Sequence, residues 1–207
     1  MKYFFAFLCL LLLFILPSQG QNAIQFPDSN ARWVNYSLDQ SNLPLHSIPT
    51  YTIYCMDGKD TIFNGSTYGI VSLCGGSHSN NGYVGGIRDS LGQVFFIAKD
   101  SSSEMLLYDF TVEVGDSLTD IFGTPTTSAN PIIISAIDSI QLDGIQHKRI
   151  HIQNGFDWIE GIGNTAGLFQ PSFIPLSVSW SLHCMSRDSL SFSGFGTGII
   201  SEKSGNC

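Results

Sequence analysis

Residues able to do chemistry are few in this sequence, and most of them fall between positions 147 and 160. In His147-Lys148-Arg149-Ile150-His151-Ile152 an extended chain puts His147, Arg149 and His151 on one face, with Ile150 and Ile152 on the other. A basic stripe of this kind can hold an anion or, with carboxylates supplied from elsewhere, a metal ion. No Asp or Glu lies on the strand itself, so it reads first as the water-facing side of a half-buried strand. Just downstream, Asp157-Trp158-Ile159-Glu160 offers two carboxylates, the usual equipment for glycoside hydrolysis. Alternation points them apart, with Trp158 and Glu160 on one face and Asp157 on the other. An aromatic ring beside an acid can instead bind sugar by stacking and hydrogen bonding. The expected ligand-binding residues are therefore Trp158, Glu160, His147, Arg149 and His151, with no catalytic set, metal site or cofactor.

Other chemistries lack a necessary part. Gly65-Ser66-Thr67-Tyr68-Gly69 has glycines at the spacing of a nucleophile elbow but Thr at its centre. Ser77-His78-Ser79 lies in a Gly-rich loop with no acid nearby to orient the histidine. Gly161-Ile162-Gly163 and Gly194-Phe195-Gly196-Thr197-Gly198 lack both the lysine and the strand–loop–helix setting of a phosphate loop, and read as turn or bulge glycines.

The elements that must position these residues are strands. Thr50 to Met56, Lys59 to Phe63 and Ser66 to Cys74 are separated by Asp57-Gly58 and Asn64-Gly65, which predicts two tandem hairpins and a three-stranded meander. Tyr83 to Arg88 and Gln93 to Ala98 follow, joined by Asp89-Ser90-Leu91-Gly92. Glu104 to Val114 reads as one strand. Ile132 to Ile140 and Ile145 to Ile152 flank Asp143-Gly144, and Phe156 to Ile162, Ser177 to Ser186 and Leu190 to Phe192 complete the series. The best helical stretch is a turn or two near Asp28 to Asn35, and there Trp33 to Tyr36 also suits a strand. About ten short strands at this spacing predict an all-β, antiparallel meander closing as a sandwich or as a barrel or half-barrel, with little helix.

Composition agrees with export. Tyr3 to Leu16 is an apolar run behind Lys2, and Ser18-Gln19-Gly20 supplies small residues for cleavage, so residues 1–20 read as a signal peptide and 21–207 as one secreted β-domain. Without the leader, which carries one lysine and no acid, 187 residues remain with net charge −9. That balance disfavours nucleic acid and anionic lipid, and the leader is too short for a stable membrane span. Charged residues are 13% of the chain, about half the usual ~25%, because Ser, Thr, Asn and Gly supply the polarity. Cys9 leaves with the leader. The remaining Cys55, Cys74, Cys184 and Cys207 favour two disulfides with three possible pairings. A Cys184–Cys207 bond would tie down the C-terminus, leaving Cys55–Cys74 by elimination. If Asp57-Gly58 is a turn, Cys55 faces Asp60, and that second bond needs the chain to curl back.

Three segments together carry a resemblance. They are Asp60 to Tyr68; Gly86 to Asp89 with Leu106 to Phe110 and Val114 to Asp116; and Lys148 to His151 with Trp158 to Gly163 and Gly167-Leu168. The set resembles uncharacterised secreted β-rich proteins of Bacteroidota-type bacteria, often found with a C-terminal type IX secretion sorting domain. That domain is not expected here, where the sequence stops at Cys207. The resemblance implies export, a β-rich fold and a cysteine pair near the C-terminus, but no activity. It also makes the Asp-Ser/Thr-aliphatic triplets at Asp60, Asp89, Asp116, Asp138 and Asp188 look like O-glycosylation sites, although such triplets are ordinary turn chemistry too. The function expected is a non-catalytic binding or cell-surface module whose partner is a glycan or another surface protein. One alternative is a carrier of small apolar ligands lined by Trp33, Phe95, Tyr108 and Trp158. The other is a hydrolase acting on sugar or peptide through Glu160, Asp157 and His151.

Overall fold

The computed structural model describes residues 23–39, 49–76, 82–124, 131–170, 178–195, 201–204 and 207. The expected leader, 1–20, and Ser77, His78 and Ser79 lie outside them. Among the described residues, fourteen strands form two curled antiparallel sheets, each a half-barrel. The larger contains β14 (Ser201–Ser204), β13 (Leu190–Ser193), β12 (Val178–Arg187), β1 (Ala31–Asp39), β2 (Pro49–Phe63), β3 (Ser66–Gly76), β4 (Gly82–Ser90), β5 (Gln93–Ala98) and β6 (Met105–Asp109), in that spatial order. The smaller runs β11 (Gly163–Asn164), β10 (Trp158–Ile159), β9 (Ile145–Ile152), β8 (Ile132–Leu142) and β7 (Ser117–Leu118).

The predicted class is observed, with four local differences, the simplest being that of Phe156 to Ile162 only Trp158–Ile159 is strand. The stretch weighed as a helix, Asp28 to Asn35, is mostly strand: β1 alternates apolar Ala31, Trp33 and buried Asn35 on one face and pairs on both sides, with β2 and β12. Glu104 to Val114 is not one strand. Asp109 ends β6 by accepting from both the amide and the hydroxyl of Thr111, at 2.8 and 2.6 Å, a local alternative to the ladder. Asp57-Gly58 does not turn the chain. β2 continues through it, and Asp57, Gly58 and Lys59 form a bulge opposite Ile70, between the pairs Met56–Val71 and Asp60–Gly69.

That bulge changes the register and brings the first two cysteines together. Cys55 now faces Ser72, and Cys74 is itself an extra residue between Leu73 and Gly75, so the two Cα atoms are 5.9 Å apart, at disulfide distance. Cys184 and Cys207 are equally close, at 6.0 Å. Arg32 and Val34, two residues apart on one face of β1, oppose Cys55 on β2 and Cys184 on β12, so the two cysteine pairs flank β1 on the same side.

Between the sheets runs the segment 160–170, most of it buried despite having only two ladder residues. Its backbone is met by side chains of the larger sheet. Trp33 Nε1 donates to the Ile162 carbonyl at 2.9 Å, Tyr108 donates its hydroxyl to the Leu168 carbonyl, and Asn35 Oδ1 accepts from Leu168 N at 3.3 Å. Leu182 N donates to the Thr165 carbonyl at 2.7 Å. Gly163 allows the approach: its φ is +106°, and a Cβ there would lie 3.0 Å from the Tyr108 ring.

A second tether lies toward the other edge of the larger sheet. Arg88 reaches both oxygens of Glu104, at 2.8 and 2.6 Å, while its guanidinium stacks 4.3 Å from the centre of the Phe95 ring. Tyr68 donates to the same carboxylate. Hydrogen bonding from Arg88 holds Glu104 below the usual carboxylate range.

Gly163→Ala is expected to cost about 2–4 kcal/mol, from backbone strain plus the clash with Tyr108, read as a lower urea midpoint. Peptide mapping without reductant should recover Cys55 linked to Cys74 and Cys184 linked to Cys207; any other linkage would refute the register described above.

Candidate functional site

The β8–β9 hairpin carries most of the residues singled out in the sequence, and its geometry divides them. Asp143-Gly144 is a two-residue turn with both residues at positive φ, +53° and +68°, and it sets Leu142 opposite Ile145. Counting back from the turn, Asp138 faces Arg149 and Ile137 faces Ile150. Near the middle of the smaller sheet, Ile134, Ile137, Ile150 and Ile152 form the core-facing side. Toward the turn the assignment reverses. Ser139, Gln141 and Gln146, which continue the core-facing side, are exposed, whereas Leu142 and His147 on the opposite side are buried. The reason is local. β10 pairs only with Arg149 and Ile150, so beyond that point β8 and β9 are a two-stranded ribbon, in which twist is greatest.

The basic stripe is therefore split. His147 is 1% exposed, with Nδ1 at 2.8 Å from the Glu160 carbonyl and its ring 6.5 Å from Phe192. Its Nε2 is buried without a hydrogen-bond partner. Arg149 and His151 remain at the surface and meet two carboxylates. Arg149 binds Asp138 through two bonds, 2.7 and 2.5 Å. His151 stands between acids, Nε2 at 3.3 Å from Asp138 and Nδ1 at 3.1 Å from Asp157. Hydrogen bonding from Arg149, with His151 adding to it, lowers the Asp138 pKa to about 2.

Trp158 is fully buried, its ring 5.5 Å from Tyr108, so it is a core side chain rather than a surface platform. Glu160 diverges from Asp157, as alternation requires. Its Oε1 accepts from Ile24 N at 3.1 Å and its Oε2 from Lys148 N at 3.3 Å, fastening the N-terminal segment to β9. Of the rings weighed as liners of an apolar pocket, Trp33 stacks on Phe26 at 5.7 Å, Tyr108 packs on Trp158, and Phe95 lies under Arg88. Among the described residues no group of three or more His, Cys, Asp or Glu is placed to hold a metal ion, and no helix is long and apolar enough to cross a membrane.

Where the hairpin turns over, a groove of about 620 Å³ opens, lined by Ala23, Ile137, Asp138, Ser139, Gln146, Lys148 and Glu160. Ser139 and Gln146, which single-strand alternation did not single out, supply its exposed hydroxyl and amide. Asp138 was also missed as a partner of Arg149, although the Asp143-Gly144 turn signal contains that register. No family model, curated protein or solved structure matches the chain.

The Asp138–Arg149 pair gives a signed pH dependence. The folded pKa, about 2, lies below the ordinary 3.8, so the stabilisation is complete above pH 3.8 and drains away as pH falls to about 2. Asp138→Asn should melt below the wild type near neutral pH, and the two melting curves should converge at the acid end. A constant gap down to pH 2 would refute the pairing.

Proposed function

We propose that the protein is a non-catalytic, secreted β-domain that works by binding, through the groove on the β8–β9 hairpin. The observation that carries this reading is how fully the reactive-looking side chains are engaged within the fold. Both Glu160 oxygens accept from backbone amides, His147 is buried against the Glu160 carbonyl, and His151 is held between Asp138 and Asp157. A general acid or nucleophile needs a free face toward substrate. The groove, by contrast, offers an exposed hydroxyl and amide on a paired hairpin, which suits recognition. Export is supported by the apolar leader and by two cysteine pairs at disulfide distance. The contact between His151 and Asp157 keeps a hydrolase as the reading to be tested against.

Glu160→Gln separates the two. With Glu160 acting as a structural acceptor, the variant should lose about 1 kcal/mol of stability, seen as a lower urea midpoint, while neither variant nor wild type releases product from polysaccharide or peptide substrates. Turnover by the wild type that the variant lacks would make the protein a hydrolase.

A further inference from the structure

The groove has an electrostatic property that narrows what it can take. The whole chain is acidic, at −8, yet each charge lining the groove already has a partner inside the protein. The Lys148 ammonium donates to the Phe110 and Val112 carbonyls, at 2.8 and 2.9 Å. The Glu160 carboxylate is held by two backbone amides, and Asp138 is matched by Arg149 and His151. An ionic ligand would find these charges already hydrogen-bonded within the fold and would have to compete with those arrangements. What remains for recognition is the hydroxyl of Ser139 and the amide of Gln146, beside the apolar Ala23 and Ile137.

The position of the groove also matters. It lies on the face of β8 and β9, where side chains project, and not along an edge, so a peptide adding as a further strand would not fill it. Contacts must be made by side chains, through neutral hydrogen bonds and small apolar patches. We infer that the groove binds a neutral, hydroxyl-rich ligand, an uncharged oligosaccharide held by Ser139 and Gln146. This rests on the binding reading of the same site.

The test is calorimetric titration of the whole protein with hexasaccharides of α- and β-linked glucose, mannose and galactose. Hexagalacturonate and hexameric chitosan serve as acidic and basic counterparts, and each titration is run at low and at high salt. A neutral hexasaccharide should bind with the same affinity at both salts, and the Ser139→Ala/Gln146→Ala double variant should bind it about tenfold more weakly or worse, at an unchanged melting temperature. Both side chains are exposed, so the variant should fold normally. Salt-dependent binding of a charged hexasaccharide that the double variant abolishes would overturn the neutral ligand class while leaving the groove as a binding site. Binding of none of these probes, or binding that the double variant leaves intact, would remove the groove as a binding site altogether.

Discussion

Peptide groups that leave a β-ladder inside a protein still need hydrogen-bond partners, and the segment 160–170 imposes that constraint at the centre of this fold. It turns three times through glycines at positive φ, Gly161, Gly163 and Gly167, between two sheets that would otherwise close on apolar side chains alone. The larger sheet answers with the polar ends of otherwise apolar or buried residues: the indole nitrogen of Trp33, the phenol of Tyr108 and the amide of Asn35. Much else follows from this. Trp33 must sit on the inner face of β1, Phe26 can then stack on it, and the N-terminal segment is drawn across to Glu160 at the start of the same buried stretch. Burial pushes the Tyr108 hydroxyl pKa upward, which keeps it a donor.

The two faces of the β8–β9 hairpin show how a site arises from twist rather than from composition. On a flat sheet His147, Arg149 and His151 would form one stripe. On a ribbon that turns over, the first becomes core and the other two become surface, while Ser139 and Gln146 emerge from the side that began as core. The engagement of the groove's charges has the same origin, because the turning point brings Lys148 within reach of the Phe110 and Val112 carbonyls and Glu160 within reach of the Lys148 and Ile24 amides.

What could be read from the sequence was local. Asn64-Gly65 and Asp143-Gly144 announce their turns because consecutive positive φ angles demand such residues, and both are turns. Asp57-Gly58 carries the same signal but becomes a bulge, since β3 pairs with β2 both before and after it and β1 holds β2 up to Met56; dipeptide chemistry cannot register neighbouring strands. The Asp138–Arg149 pair was legible once the hairpin register is counted from its turn. His147 was not, because its burial depends on Phe192, 45 positions away in the chain, and on where β10 stops pairing. Trp158 and Glu160 were recognisable as an aromatic–acid pair, while only the tertiary fold shows that each is occupied by the core or the N-terminal segment.

The cysteine pairs beside β1 have a mechanical meaning. With Cys184 bonded to Cys207, tension arriving through Cys207 enters β12 directly at Cys184, beside β1, and bypasses β13 and β14. Those edge strands, which would otherwise unzip one hydrogen bond at a time, carry none of the load. From Cys184 the force passes to β1 and β2 as shear along long antiparallel ladders, and the Cys55–Cys74 link spreads it to β3. The chain is thus built so that pulling on Cys207 loads the middle of its larger sheet instead of peeling its edge.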